Sequence, residues 1–273
     1  MARAIRSPHA KPDGVTEGGV AGVSAAGSLS RANPLRENLL RFCAWLIHLY
    51  TASGAIIGLL AMHFTAHDDF RTAFVLMAVA LFIDATDGPL ARAVAIRKRV
   101  PEFDGTTLDN IVDYLNYVAV PAFLMVRAGL LVVGNAGLAS AGFVMLASAY
   151  GFCRVDAKTA DLYFRGFPSY WNLVAFYLFC LGWAPALNTL IVIALAILVF
   201  MPVKFIYPNR TVRMRALTLS LIVIWAIVTA TLLIELPRVN PVLLYSSLAF
   251  VVYYFVMSAV LQVTSPGPGS LRV

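Results

Sequence analysis

The chain has 273 residues, 60% of them hydrophobic and only 13% charged, with a mean hydropathy of +0.80. A soluble domain carries about a quarter charged residues and a disordered chain far less apolar mass, so both classes are excluded. The formal net charge of +7 belongs, in so apolar a chain, to the orientation of loops across a bilayer rather than to nucleic-acid binding.

Residues 1–38 are rich in Ala, Gly, Ser, Pro and Arg and hold no apolar run long enough for the core of a signal peptide. They read as a disordered cytoplasmic tail with helical character near Pro34 to Asn38; Asp13 and Glu17 argue against a transit peptide. Eight apolar segments follow, at about Leu39 to Phe64, Ala73 to Ile96, Leu108 to Ala128, Leu138 to Cys153, Ser169 to Trp183, Leu187 to Tyr207, Ala216 to Leu236 and Val242 to Val263. Barrel strands are shorter and alternate in polarity, whereas helices satisfy every backbone group within the segment, so these are expected to be helices in lipid. The fourth and fifth are short for a span of about 20 residues. The expected fold is all-α: a polytopic integral membrane bundle of about eight transmembrane helices over 39–263, with 264–273 a second cytoplasmic tail.

Charge placement follows the same count. If the N-terminal tail is cytoplasmic, eight spans put 18 of the 21 Lys and Arg on the inner side and leave Arg71, Arg127 and Arg238 outside. Adding or removing one span would swap every later loop and destroy the bias, so both termini are expected to face the cytoplasm. Cys43, Cys153 and Cys180 sit in apolar surroundings without metal-ligand spacing and read as small packing residues. His9, His48, His63 and His67 are scattered and read as tail or interfacial residues.

Carboxylates inside or beside membrane helices are costly and mark function by default. Four of them gather here: Asp84 and Asp87 in the second segment, Asp109 and Asp113 in the third. The first two are i and i+3 with Ala91 and Arg92 continuing that side, and Gly105, Asp109 and Asp113 follow at i, i+4 and i+8. The short basic connection from Ala93 to Asp104 makes the two helices antiparallel neighbours, so the pairs face each other near the cytoplasmic surface. Clustered carboxylates repel unless cations compensate them, and hard divalent metals prefer oxygen ligands. A buried Asp and Arg network, or an ion path in a transporter, is the competing reading of the same charges. Gly88 and Gly105 would let a bulky diphosphate approach the backbone.

The string Asp84-Ala-Thr-Asp87-Gly88-Pro-Leu-Ala91-Arg92, followed by Gly105-Thr-Thr-Leu-Asp109-Asn-Ile-Val-Asp113, resembles the signature of the CDP-alcohol phosphatidyltransferase family, D-x-x-D-G-x-x-A-R then G-x-x-x-D-x-x-x-D. The spacer from Ala93 to Asp104 is longer than the family's usual one and resembles the bacterial phosphatidylcholine synthase branch. Thr51-Ala-Ser-Gly54 and Gly166-Phe-Pro-Ser-Tyr-Trp-Asn172 look like that branch too, and the likeness runs from about His48 to Val263. It implies an enzyme of the bacterial inner membrane that joins CDP-diacylglycerol to choline with release of CMP, working at the cytoplasmic face. By the same resemblance Asp84, Asp87, Asp109 and Asp113 are ligands of two Mn²⁺ or Mg²⁺ ions, Asp113 is the general base, and the chain forms a homodimer.

Further expectations follow for the substrates. Gly88, Ala91, Arg92 and Gly105 are candidates for the nucleotide, with Thr51 and Ser53 as neighbours. Lys204, Arg210 and Arg213 are candidates for the lipid phosphates, although loops on this side are basic in any case. Choline offers no donor at nitrogen and needs π faces, which Tyr114, Tyr117, Tyr150, Tyr163, Tyr170 and Trp171 could supply; interfacial packing is the alternative for each. A sibling transferase using serine, inositol phosphate or glycerol phosphate shares the signature, and a transporter remains the alternative of another class.

Overall fold

In the computed structural model, residues 34–155, 163–206 and 215–264 are described, so most of the two expected tails, 1–38 and 264–273, lies outside the described residues. Helices dominate, and each of the eight apolar segments forms one. Helix α1 (Pro34–Ala66) starts inside the stretch assigned to the tail, with Pro34 at a first helical position that needs no N–H donor. A three-residue turn leads to α2 (Phe70–Ala93), capped by the Asp69 carboxylate, which accepts from Thr72 N at 3.0 Å. The basic connection contains a single turn, α3 (Ile96–Arg99). Helix α4 (Gly105–Tyr114) then starts under Asp104, which accepts from the amides of Thr106 and Thr107.

The third segment is one continuous helix with a π turn in it. Leu115–Ala119 form the π turn and α5 (Val120–Arg127) completes the run. Pro121 lacks an N–H and its ring would crowd the carbonyl of Tyr117 in a regular α-helix, so the wider turn just before it relieves that clash. Helices α6 (Asn135–Cys153), α7 (Trp171–Leu181) and α8 (Pro185–Phe200) follow. Helix α8 stops well short of Tyr207: Met201 is extended, as a residue before proline tends to be. The chain then forms β2 (Lys204–Ile206), which pairs antiparallel with β1 (Tyr163–Arg165). Helices α9 (Arg215–Glu235) and α10 (Pro241–Thr264) close the bundle.

Long-range polar contacts sort by end. At one end Arg41 pairs with Glu102, Arg99 lies 3.8 Å from Glu37, and the β1–β2 ladder ties two connections together. At the other, Arg127 pairs with Asp68 at 2.6 Å, Arg71 donates to Ile234 O at 2.8 Å and Asn188 donates to Leu130 O at 3.0 Å. The core between them is built on Val118, Val120, Leu124, Met125, Val144, Trp171, Val192 and Leu232, all fully buried. The outer faces stay apolar: Phe82, Ile111 and Ile227 are 65%, 62% and 62% exposed. Exposed apolar surface on that scale marks contact with lipid rather than water. Among the described residues α1, α2, α6, α9 and α10 are long and apolar enough to cross a membrane.

Candidate active site

Helix α1 is the shared backing of the site, packed against both α2 and α4. Its small residues allow this. A Cβ on Gly54 would lie 2.6 Å from Val112 Cγ1, and one on Gly58 would lie 2.8 Å from Asn116 Oδ1. Asn116, buried, donates to Gly54 O and to Val112 O, both at 3.0 Å, which locks the start of the π turn onto α1.

With the helices so placed, Asp84 of α2 and Asp109 and Asp113 of α4 each bring a carboxylate oxygen within 4.8 Å of the others, and all three are half-buried. Tyr117, one turn beyond Asp113, donates to Asp84 Oδ2 at 2.6 Å. Asp87 is held elsewhere. It is 6% exposed and accepts from Thr51 Oγ1 at 2.7 Å, which turns it toward α1 rather than into the group of three. Converging hard oxygens with like charge are the donor set that suits a divalent cation such as Mg²⁺ or Mn²⁺, so the residues present fit a metal.

The nucleotide candidates lie around this cluster. Thr51 spends its hydroxyl on Asp87, and Ser53 donates to Tyr50 O of its own helix at 2.6 Å. A Cβ on Gly88 would stand 3.3 Å from Arg92 Nη1, so the guanidinium folds back over that glycine; Arg92 is exposed and Ala91 half-buried. Gly105 has a different neighbour from the one expected. Its Cβ would lie 2.6 Å from Cε1 of His48, a buried ring packed against Trp45 and Phe103 at centroid distances of 5.9 and 4.5 Å. His48 is therefore a buried packing residue against the first turn of α4. Beside it the exposed Asp104 carboxyl is held below the usual carboxylate range by the Thr107 hydroxyl and by the Thr107 and Thr106 amides.

The aromatic candidates separate by position. Tyr114 donates to Met145 O on α6 at 2.9 Å, Tyr150 packs on Phe200 with Arg154 over its ring, and Trp171 is fully buried with its indole N–H on Ser148 Oγ at 2.7 Å. Tyr117 stays with the carboxylates through Asp84, and Tyr170 packs against it with ring centroids 6.5 Å apart. Tyr254 of α10, absent from the candidates, extends the row at 6.5 Å from Tyr170; a tyrosine within an apolar span was its only signal. Tyr163 and Lys204 sit in β1 and β2, and Arg210 and Arg213 lie outside the described residues.

No family model matches the chain. It is 39% identical over 224 residues to a phosphatidylcholine synthase of Legionella pneumophila, covering 80% of this chain and 88% of that protein. It is 42% identical over 202 residues to one of Bradyrhizobium diazoefficiens, 74% of this chain and 75% of that one. A third, from Legionella bozemanae, is 41% identical over 214 residues, 75% of this chain and 97% of its own length. With coverage and identity of that order, on a chain whose acidic signature folds into a metal-competent cluster, this protein belongs to the phosphatidylcholine synthase family.

Proposed function

We propose that the chain catalyses transfer of the phosphatidyl group of CDP-diacylglycerol to choline, with release of CMP, as a multi-span enzyme of the bacterial inner membrane working at its cytoplasmic face. The observation that carries this reading is the convergence of Asp84, Asp109 and Asp113. Its choice of alcohol rests on the relatives, each named phosphatidylcholine synthase.

In this reading Asp84, Asp109 and Asp113 hold divalent metal, a pair of Mn²⁺ or Mg²⁺ ions, with Asp87 contributing from the α1 side. When bound, such ions neutralise charge on the diphosphate and so favour displacement at phosphorus. The chain's own groups do the rest. Asp113 accepts the proton of the choline hydroxyl while that oxygen forms its bond to the β-phosphorus and the bond to CMP breaks. Tyr117, by donating to Asp84, fixes the orientation of that carboxylate. Arg92 and the backbone at Gly88 receive the nucleotide, and Lys204, Arg210 and Arg213 receive the lipid phosphates. Thr51 holds Asp87 from behind.

The decisive assay uses purified protein with CDP-diacylglycerol, Mn²⁺ or Mg²⁺ and a panel of choline, serine, inositol phosphate and glycerol phosphate, reading CMP and lipid product. Choline-dependent CMP release that stops with chelation and returns with metal is expected. Product with serine alone would move the chain to a sibling activity, and no CMP with any alcohol would favour a transporter. Asp113→Asn should lower turnover by about 10²-fold or more, the usual contribution of a positioned base, while the protein still inserts and purifies normally. Near-normal turnover would remove Asp113 from that role.

A further inference from the structure

Choline carries its hydroxyl and its cation only two carbons apart. If Asp113 takes the hydroxyl proton, the site for the cation must adjoin the carboxylate cluster, so rings linked to that cluster are favoured over rings engaged elsewhere. This condition separates the candidates. Tyr114 is committed to α6 through Met145 O, Tyr150 to Phe200, and Trp171 to Ser148. Tyr117 is joined to the cluster directly, by its hydrogen bond to Asp84.

From Tyr117 the rings continue in a bent row. Tyr170, just before α7, meets Tyr117 at an interplanar angle of 63°, and Tyr254 of α10 meets Tyr170 at 65°. Three tyrosines from three separate segments thus stand nearly edge to face in succession, so that each presents its π surface along a different direction. A quaternary ammonium has no hydrogen to donate and is bound by π faces arranged around it, one wall per ring. Tyr254 is backed in turn by Phe205 of β2, whose ring stacks on it at 6.2 Å with planes 19° apart, so this wall is held from behind. The β1–β2 ladder that positions Phe205 thereby acquires a purpose.

We propose that Tyr117, Tyr170 and Tyr254 form the seat of the acceptor's quaternary ammonium, and that Tyr254, contributed by the last helix, is a specificity-determining residue for it. The proposal rests on the reading of the chain as a choline-using transferase. It adds the particular corner that recognises the cation and brings α10 into the site.

The test compares choline with its neutral isostere, in which a quaternary carbon replaces the nitrogen, using the full-length protein in nanodiscs and CMP release as the readout. Wild-type protein must first show choline-dependent CMP release; failure there sinks the transferase reading, whatever the fate of the tyrosines. Given that activity, Tyr254→Leu should raise the KM for choline roughly tenfold, the scale of one desolvated ring–cation contact, and leave the KM for CDP-diacylglycerol within twofold. Its preference for choline over the neutral isostere should fall by the same factor. Tyr254→Phe keeps the π face and should stay within about threefold of wild type on every measure. Tyr170→Leu should behave as Tyr254→Leu does, and carries the test if the latter fails to fold. Loss of both alcohols in equal proportion, or an unchanged choline KM in either leucine variant, would overturn the proposal.

Discussion

Azimuth decides what each aspartate does. Residues three apart on an α-helix differ by about 60° around its axis, so Asp84 and Asp87 share a side without sharing a target. Asp84 reaches Asp109, Asp113 and Tyr117, whereas Asp87 turns into the hydroxyl of Thr51. Spacing alone put both on one face, which is as far as the pattern of a single helix can be read. The same holds for Gly105. Its place in the motif was plain in the sequence, but the ring that demands a glycine comes from α1, 57 positions away (105 − 48). Replacing Gly105 by alanine would force Cβ into His48, a ring already confined by Trp45 and Phe103. We expect Gly105→Ala to cost about 1–3 kcal/mol, as overpacking does, seen as a lower unfolding midpoint in detergent. Combined with His48→Ala the two changes should be clearly less than additive. Additive losses would show that the glycine and the ring do not contend for one space.

At the scale of elements, the helical character of each apolar segment was legible because long apolar runs favour a form that satisfies its own backbone. Their ends and their irregularities were not. Helix α8 ends at Phe200 because Pro202 forces Met201 out of the helical region, and the residues beyond it join a strand whose partner lies some 40 positions earlier. No local pattern announces that pairing. The π turn at Leu115–Ala119 was foreshadowed only by Pro121. The turn matters because it lies between the carboxylate cluster and the body of the bundle, and Asn116 anchors it to α1. Asn116→Ala would remove the donors to Gly54 O and Val112 O. Interhelical hydrogen bonds in membranes average ~0.6 kcal/mol, with about 1.7 as a ceiling, so a loss within that range is expected in the unfolding midpoint. Activity should fall further than stability, since the turn contains Tyr117 and begins two residues after Asp113. A variant as active and as stable as wild type would mean that the anchor is idle.

For the molecule as a whole, the question is how the bundle sits in the membrane. Its contacts sort into two ends, with the Arg41–Glu102 pair and the β1–β2 ladder at one and the Arg127–Asp68 pair at the other. Among the described residues, Arg41, Arg99, Arg165 and Lys204, counted as cytoplasmic, belong to the first end, and Arg71 and Arg127, counted as external, to the second. Helix α6 offers a direct measurement, because its 19 residues span ~28 Å at 1.5 Å per residue, close to the ~30 Å of a hydrocarbon core. Cys153 closes it at the first end and is exposed, while Val133, 90% exposed, lies just before it at the second. In a background with Cys43→Ser and Cys180→Ala, Cys153 should react with a membrane-impermeant maleimide only in inside-out vesicles. Once Cys153 is also replaced by serine, Val133→Cys should react only in right-side-out ones. Labelling of both from one side would mean that α6 does not cross. Labelling with the sides exchanged would place the carboxylate cluster outside, away from a cytoplasmic supply of CDP-diacylglycerol, and the positive charges would then have to be explained by the substrates they hold rather than by the direction in which the chain was inserted.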